Sequence, residues 1–161
     1  MYIALRLREE RSSAEIAALI ERLRTRVAER RGWSCDERWL KRRMCVFLQD
    51  DWRCGIYDFR PLNCRGWTSK SRDDCAAERA VTPHASVHLA AHAVGNGLIR
   101  AAAAMGLESK AYEFEAAMLR ALETPDAAER WAGGERIFTG CDQLSGSDGG
   151  VHAMTDMLRQ G

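Results

Sequence analysis

The stretch from Cys45 to Cys75 constrains this chain more than any other part of it. Four cysteines recur there at nearly even intervals, C-x8-C-x9-C-x10-C, at Cys45, Cys54, Cys64 and Cys75. The residues between them, CVFLQDDWRCGIYDFRPLNCRGWTSKSRDDC, scatter charge throughout and are poorly suited to build a core of their own. Something other than apolar burial is therefore expected to tie the segment down. Four converging thiolates do this by enclosing one soft or borderline metal ion tetrahedrally.

Spacing alone leaves other readings open. A structural zinc site usually shows two close C-x2-4-C pairs, and none is present. The cysteines could equally be small buried hydrophobes, two disulfides or a redox pair. Composition tilts the balance toward metal. The first residues, MYIALRLREERSS, are too short in apolar length for a secretory signal, and no run approaches a membrane span. The expected location is the cytoplasm, where thiols stay reduced and six cysteines point to metal or redox chemistry. Arg53, Arg60 and Arg65 lie among the ligands, and cations favour thiolate and hence the metallated form.

The rest of the chain reads as helix. With 161 residues, 46% of them hydrophobic, the chain is long enough for one domain with a proper core. Ser12 and Glu15 form a capping box, after which Ile16, Leu19, Ile20, Leu23 and Val27 repeat at helical spacing until Gly32. Residues 33–44 are ambiguous, with Trp33 and Trp39 as anchors. Short strands at Val46–Leu48 and Gly55–Tyr57 are compatible with the cysteine segment, although loops should dominate it. Thr82-Pro83 opens a helix whose inward face is expected to carry Val87, Ala91, Val94, Leu98, Ala102 and Met105, with Gly106 as its stop. Another helix is predicted over 109–122, with Tyr112, Leu119 and Leu122 inward. A short one bearing Trp131 follows Thr124-Pro125 and ends at Gly133-Gly134, and a further short helix is possible over 151–158. The Gly- and Ser-rich stretch from Thr139 reads as a flexible tail.

The predicted class is mainly α. It is a small helical domain with an irregular, cysteine-rich metal-binding insert between an N-terminal helix and a C-terminal helical bundle. The parts are 1–44 (N-terminal helical), 45–75 (metal-binding), 82–138 (helical) and 139–161 (tail), all within one domain.

The string C-V-F-L, then C-G-I-Y-D-F-R-P-L-N-C-R-G-W, then a final cysteine resembles the YkgJ-type cysteine-cluster family, whose proteins are described as zinc- or iron-chelating. Cys45, Cys54, Ile56, Tyr57, Arg60, Pro61, Cys64, Arg65 and Cys75 fall on the family pattern, which covers about a fifth of the chain. Val46 stands where the family usually has proline and Trp52 where it often has glycine. The tight upstream cysteine cluster of many members is replaced here by an amphipathic helix, with Cys35 the only upstream cysteine. The resemblance implies one four-cysteine metal site and no particular activity.

The leading expectation is a zinc ion held by Cys45, Cys54, Cys64 and Cys75. With no open coordination position it would be structural, and the biological role would be an interaction or accessory one with another protein. An iron–sulfur cluster for electron transfer or redox sensing is the first alternative. A metalloenzyme with one cysteine unligated, and His84 or Asp74 as acid–base partner, is the second. Arg60 is expected to brace the site by bonding a carbonyl or carboxylate, and Pro61 to fix the approach to Cys64. His84, His88 and His92 recur every fourth residue and could grip a metal, but their stripe flanks the apolar face and reads first as partly exposed surface histidines. Cys35 reads as a buried neighbour of Trp33, and Cys141 as a free thiol. Trp52, Tyr57, Phe59 and Trp67 alternate with Arg53, Arg60 and Arg65, a mixture that could stack single-stranded nucleic acid but more often packs around a metal knot. A net charge of +1 gives nucleic acid no support, and no membrane partner is expected.

Overall fold

A computed structural model describes residues 1–33, 37, 41, 44–66 and 85–141. Among them the chain is mainly helical. The elements are α1 (Tyr2–Glu10), α2 (Ser13–Glu29), a 3-10 turn at Tyr57–Phe59, α3 (Leu62–Gly66), α4 (Ala85–Ala104), α5 (Phe114–Glu123) and α6 (Ala127–Ala132). No strand forms among the described residues. The two expected strands reduce to a single antiparallel bridge between Leu48 and Cys54. No helix among the described residues is long and apolar enough to cross a membrane.

Helix α2 follows its sequence closely. The Ser12 hydroxyl accepts the Glu15 N–H at 3.3 Å, and the Glu15 carboxylate accepts the Ser12 N–H at 2.8 Å, so both halves of the capping box form. Ile16, Leu19 and Leu23 are buried, the last two completely. Helix α1 was not anticipated. It lacks a side-chain cap and buries Ala4 and Leu7 on one side. It packs on α2, α5 and the 3-10 turn, while α2 packs on α5, so these three helices form one body.

Helix α5 starts later than predicted. Glu113 is its N-cap, accepting the Ala116 N–H at 2.6 Å, and Met118, Ala121 and Leu122 turn inward. One buried group there is charged. Glu115 Oε1 meets Arg26 Nε at 3.0 Å and Glu115 Oε2 meets Arg30 Nη1 at 2.8 Å, which fastens α5 to α2. Burial pushes the Glu115 carboxyl above its ordinary value, against the pull of Arg30 and Arg26.

Two expectations are corrected by this body. The cysteine segment is pinned by apolar burial after all: Val46, Phe47, Ile56 and Phe59 belong to the same core as α1, α2 and α5. The Phe47 ring sits 5.7 Å from that of Phe114. The tail also begins later than Thr139. Cys141 is buried, and its carbonyl accepts the Glu113 N–H at 2.9 Å, while residues 142–161, with the predicted helix over 151–158, lie outside the described residues.

Helix α4 departs most from expectation. Of the six residues expected to point inward, Ala91 and Ala102 are on its better-covered side and the other four are not. Val87, Val94, Leu98 and Met105 are exposed, from 41% at Val87 to 73% at Met105. The better-covered side runs instead through His88, Ala91, Gly95, Ile99 and Ala102. Its helix neighbour is α3, and Gly66 is the contact point: a Cβ there would lie 2.6 Å from the Ala91 Cβ, so only glycine allows the observed approach. Gly106, at φ 74°, ends α4 as predicted, with the Leu107 N–H reaching back to the Ala102 carbonyl at 2.9 Å.

Candidate metal centre

Cys45 and Cys54 are brought together by the turn between them. The Gln49 N–H bonds the Arg53 carbonyl at 2.9 Å and the Gly55 N–H bonds the Phe47 carbonyl at 2.7 Å. Asp51 Oδ1 accepts the Arg53 N–H at 3.1 Å inside the turn. Trp52 closes it at φ 66°, the left-handed region that glycine enters without cost. The indole, largely exposed, offers little packing in exchange.

Long side chains anchor the turn to the body. Arg11 Nη2 donates to the Gly55 carbonyl at 3.2 Å. Arg26, while paired to Glu115, also donates through Nη2 to the Met44 carbonyl, one residue before Cys45. Arg26 thus links the buried carboxylate to the first cysteine of the segment. Nothing in the local sequence signals Glu115, Arg26 or Arg30, because a charged residue at helical spacing reads as a solvated one.

Cys64 enters through Arg60 and Pro61. Arg60 is extended (φ −61°, ψ 153°), as a residue before proline prefers. The Pro61 carbonyl accepts the Arg65 N–H at 3.1 Å and so begins α3, which carries Cys64. The bracing expected of Arg60 comes from its neighbour. Arg65 Nε donates to the Arg60 carbonyl at 3.2 Å, and Arg65 Nη2 donates to the Asp58 carbonyl. Arg60 instead stacks its guanidinium 4.2 Å from the Tyr57 ring centroid. The predicted interleaving of Tyr57 and Phe59 with arginines is therefore local packing: Phe59 is buried, and Arg6 lies 5.9 Å from its ring centroid.

The three described cysteines of the set lie within electrostatic reach of one another. Cys64 feels both Cys45 and Cys54, and Cys45 feels Cys54. Cys45 and Cys64 both reach the surface, yet enough protein surrounds each sulfur for desolvation to lead. Burial pushes the Cys64 thiol up, the charges of Cys45 and Cys54 add to it, and Arg60 opposes. Burial likewise raises the Cys45 thiol, opposed by the Phe47 N–H directed at its sulfur and by Arg26. Among the described residues no group of three His, Cys, Asp or Glu side chains is arranged to hold a metal ion. Cys75, Cys35, Asp74 and His84 lie outside the described residues.

One wall of a cleft of about 720 Å³ passes Cys45. Thr25 and Arg26 line it from α2, and Met44 and Trp52 from the turn. Cys141 stands apart from the other thiols. It is buried against α5, and burial raises its thiol against a hydrogen bond from Arg120. It is a core residue of the main body.

The expectation of partly exposed histidines holds for His92, which is exposed, and fails for His88. His88 is buried, and its Nε2 lies 3.2 Å from His92 Nε2. The rings meet edge to face, with centroids 4.5 Å apart. No protein-family model, curated protein or solved structure matches the chain.

Proposed function

We propose that this is a metal-binding protein in which Cys45, Cys54, Cys64 and Cys75 hold one zinc ion. The observation that supports it best is the nearness of Cys45, Cys54 and Cys64: Cys45 and Cys54 both raise the cost of ionising Cys64, and Cys54 raises that of Cys45. Burial and neighbouring sulfurs make Cys45 and Cys64 unfavourable as free thiolates. A divalent cation reverses that balance, because its charge stabilises all of them together. The Phe47 N–H aimed at the Cys45 sulfur is a donor already placed for a thiolate. The chemistry of the donor set suits zinc or an iron–sulfur cluster, since soft thiolates select both.

With four protein ligands the ion is structural. It contributes on the order of 10 kcal/mol of apparent binding free energy to a segment otherwise held by a few core side chains and arginine hydrogen bonds. The role that remains is an interaction or accessory one with another protein. The exposed apolar stripe of α4 supports that reading, being the kind of surface partner proteins cover.

Elemental analysis of protein purified without added metal, with an anaerobic visible spectrum, tests the proposal. One zinc per colourless chain is expected, and a brown protein containing iron and sulfide would replace zinc with a cluster. Cys64→Ser should lose the metal and Cys141→Ser should keep it. Metal content decides this comparison and melting temperature does not, because Cys141 is buried and its serine variant loses some stability on its own account. Equal metal content in the two variants would remove the assignment.

A further inference from the structure

We propose that His88 and His92 form a second metal site on α4, separate from the cysteine segment, that takes a divalent first-row transition ion. The two residues are one helical turn apart, and their Nε2 atoms lie 3.2 Å from each other. Two nitrogens bound to one tetrahedral zinc at about 2.0–2.1 Å lie about 3.3–3.4 Å from each other. The observed separation is therefore close to the edge of a coordination tetrahedron. The rings are inclined at 72° with centroids 4.5 Å apart, so their planes are not stacked and the two nitrogens lie on the facing edges of the rings.

The pair is covered on one side and open on the other. The contact of Gly66 with Ala91 seats α3 against the first turns of α4, and the His88 Cα lies 3.6 Å from where a Cβ on residue 66 would stand. His88 is held in that contact and is buried. His92 is exposed, so an ion can arrive from solvent along its edge. The buried partner supplies one ligand and the accessible partner supplies the second. Imidazole suits zinc, nickel and copper ions, which sets the class. Among the described residues no third His, Cys, Asp or Glu completes the site. An ion held by two imidazoles retains open positions for water or an incoming donor, in contrast to a four-thiolate site.

Titration of the full chain with Zn2+ tests the proposal, using calorimetry for stoichiometry and imidazole nitrogen resonances for location. The expected result is a binding event beyond the cysteine equivalent that shifts the Nε2 signals of His88 and His92. In His92→Ala, whose side chain is exposed and whose loss spares the fold, this event should weaken about tenfold or more, while the tightly held equivalent stays. In Cys64→Ser the opposite should hold: the histidine signals still respond to Zn2+. Substitution with Co2+ separates the sites optically, because only thiolate ligands give strong near-ultraviolet charge-transfer bands. The proposal is overturned if Zn2+ leaves the two Nε2 signals unmoved, which would make the pair an imidazole–imidazole hydrogen bond. It is equally overturned if His92→Ala keeps every equivalent of the parent chain. Neither result bears on the cysteine site.

Discussion

Helices α2 and α4 reverse the usual relation between apolar content and burial. Helix α2 is the more polar of the two, with arginine and glutamate over much of its surface, yet it buries Ile16, Leu19 and Leu23 in the main core. Helix α4, residues 85–104, carries a single charged residue, Arg100, and its only buried side chain among those described is a histidine. The difference lies in pattern and partners. Charge outside the Ile16, Leu19 and Leu23 stripe of α2 leaves one face that can go inward, and α1 and α5 are there to receive it. Helix α4 is apolar on most sides, so its sequence names no single inward direction. Its orientation is set by shape, through the fit of Ala91 against Gly66.

The largest effect that tests this contrast compares two leucines. Leu19 is fully buried and Leu98 is 59% exposed. Leu19→Ala should destabilise by about 2–5 kcal/mol, the range for a truncated core leucine. Leu98→Ala should stay within about 0.5 kcal/mol, as surface substitutions do. Chemical denaturation of both variants at one pH measures the difference. Similar losses would mean that something covers α4 in solution, and the contrast would dissolve.

The same contrast marks what the sequence made legible. The start of α2 was readable because Ser12 and Glu15 name a cap by their chemistry, and the end of α4 because Gly106 adopts positive φ, whereas α2 stops at Glu29, ahead of Gly32. The apolar set of α2 was readable because its polar residues exclude other faces. Helix α1 was missed since it has no side-chain cap and interrupts a short apolar run with Arg6 and Arg8. The turn character of the cysteine segment followed from Asp50-Asp51 and Arg60-Pro61. Its burial did not, because Val46, Phe47, Ile56 and Phe59 become a core only against α1, α2 and α5. The cysteines announced themselves by spacing, whereas the Glu115 ion pairs and the His88–His92 approach depend on neighbours remote in sequence or on a helix rotation that periodicity misassigned.

A smaller effect tests what aims α4. Gly66→Ala adds one methyl group where the Ala91 Cβ would be 2.6 Å away. Overpacking of this kind costs about 1–3 kcal/mol, or is relieved by moving the helix. Either result should alter the His88 and His92 ring signals, since the same contact seats His88. The double variant Gly66→Ala, Ala91→Gly should recover most of the loss. No recovery would show that α4 is positioned by something other than this contact.

The smallest effect lies in the α2–α5 body and is read by pH. Burial raises the Glu115 carboxyl in the folded state against the pull of Arg30 and Arg26, so the folded chain binds that proton more readily than the unfolded chain does. The stability this confers is fully present below the unfolded carboxylate value. It is lost as pH rises through the raised folded value, at no more than about 1.4 kcal/mol for each unit between the two. Glu115→Gln keeps the side-chain volume and cannot ionise, so its stability should fall less steeply across that window than that of the parent chain. If the parent chain instead gains stability relative to Glu115→Gln as pH rises, Arg26 and Arg30 outweigh desolvation. The strut from Glu115 through Arg26 to the Met44 carbonyl would then be a net source of stability, and α2 would owe its place to charge as well as to its leucines.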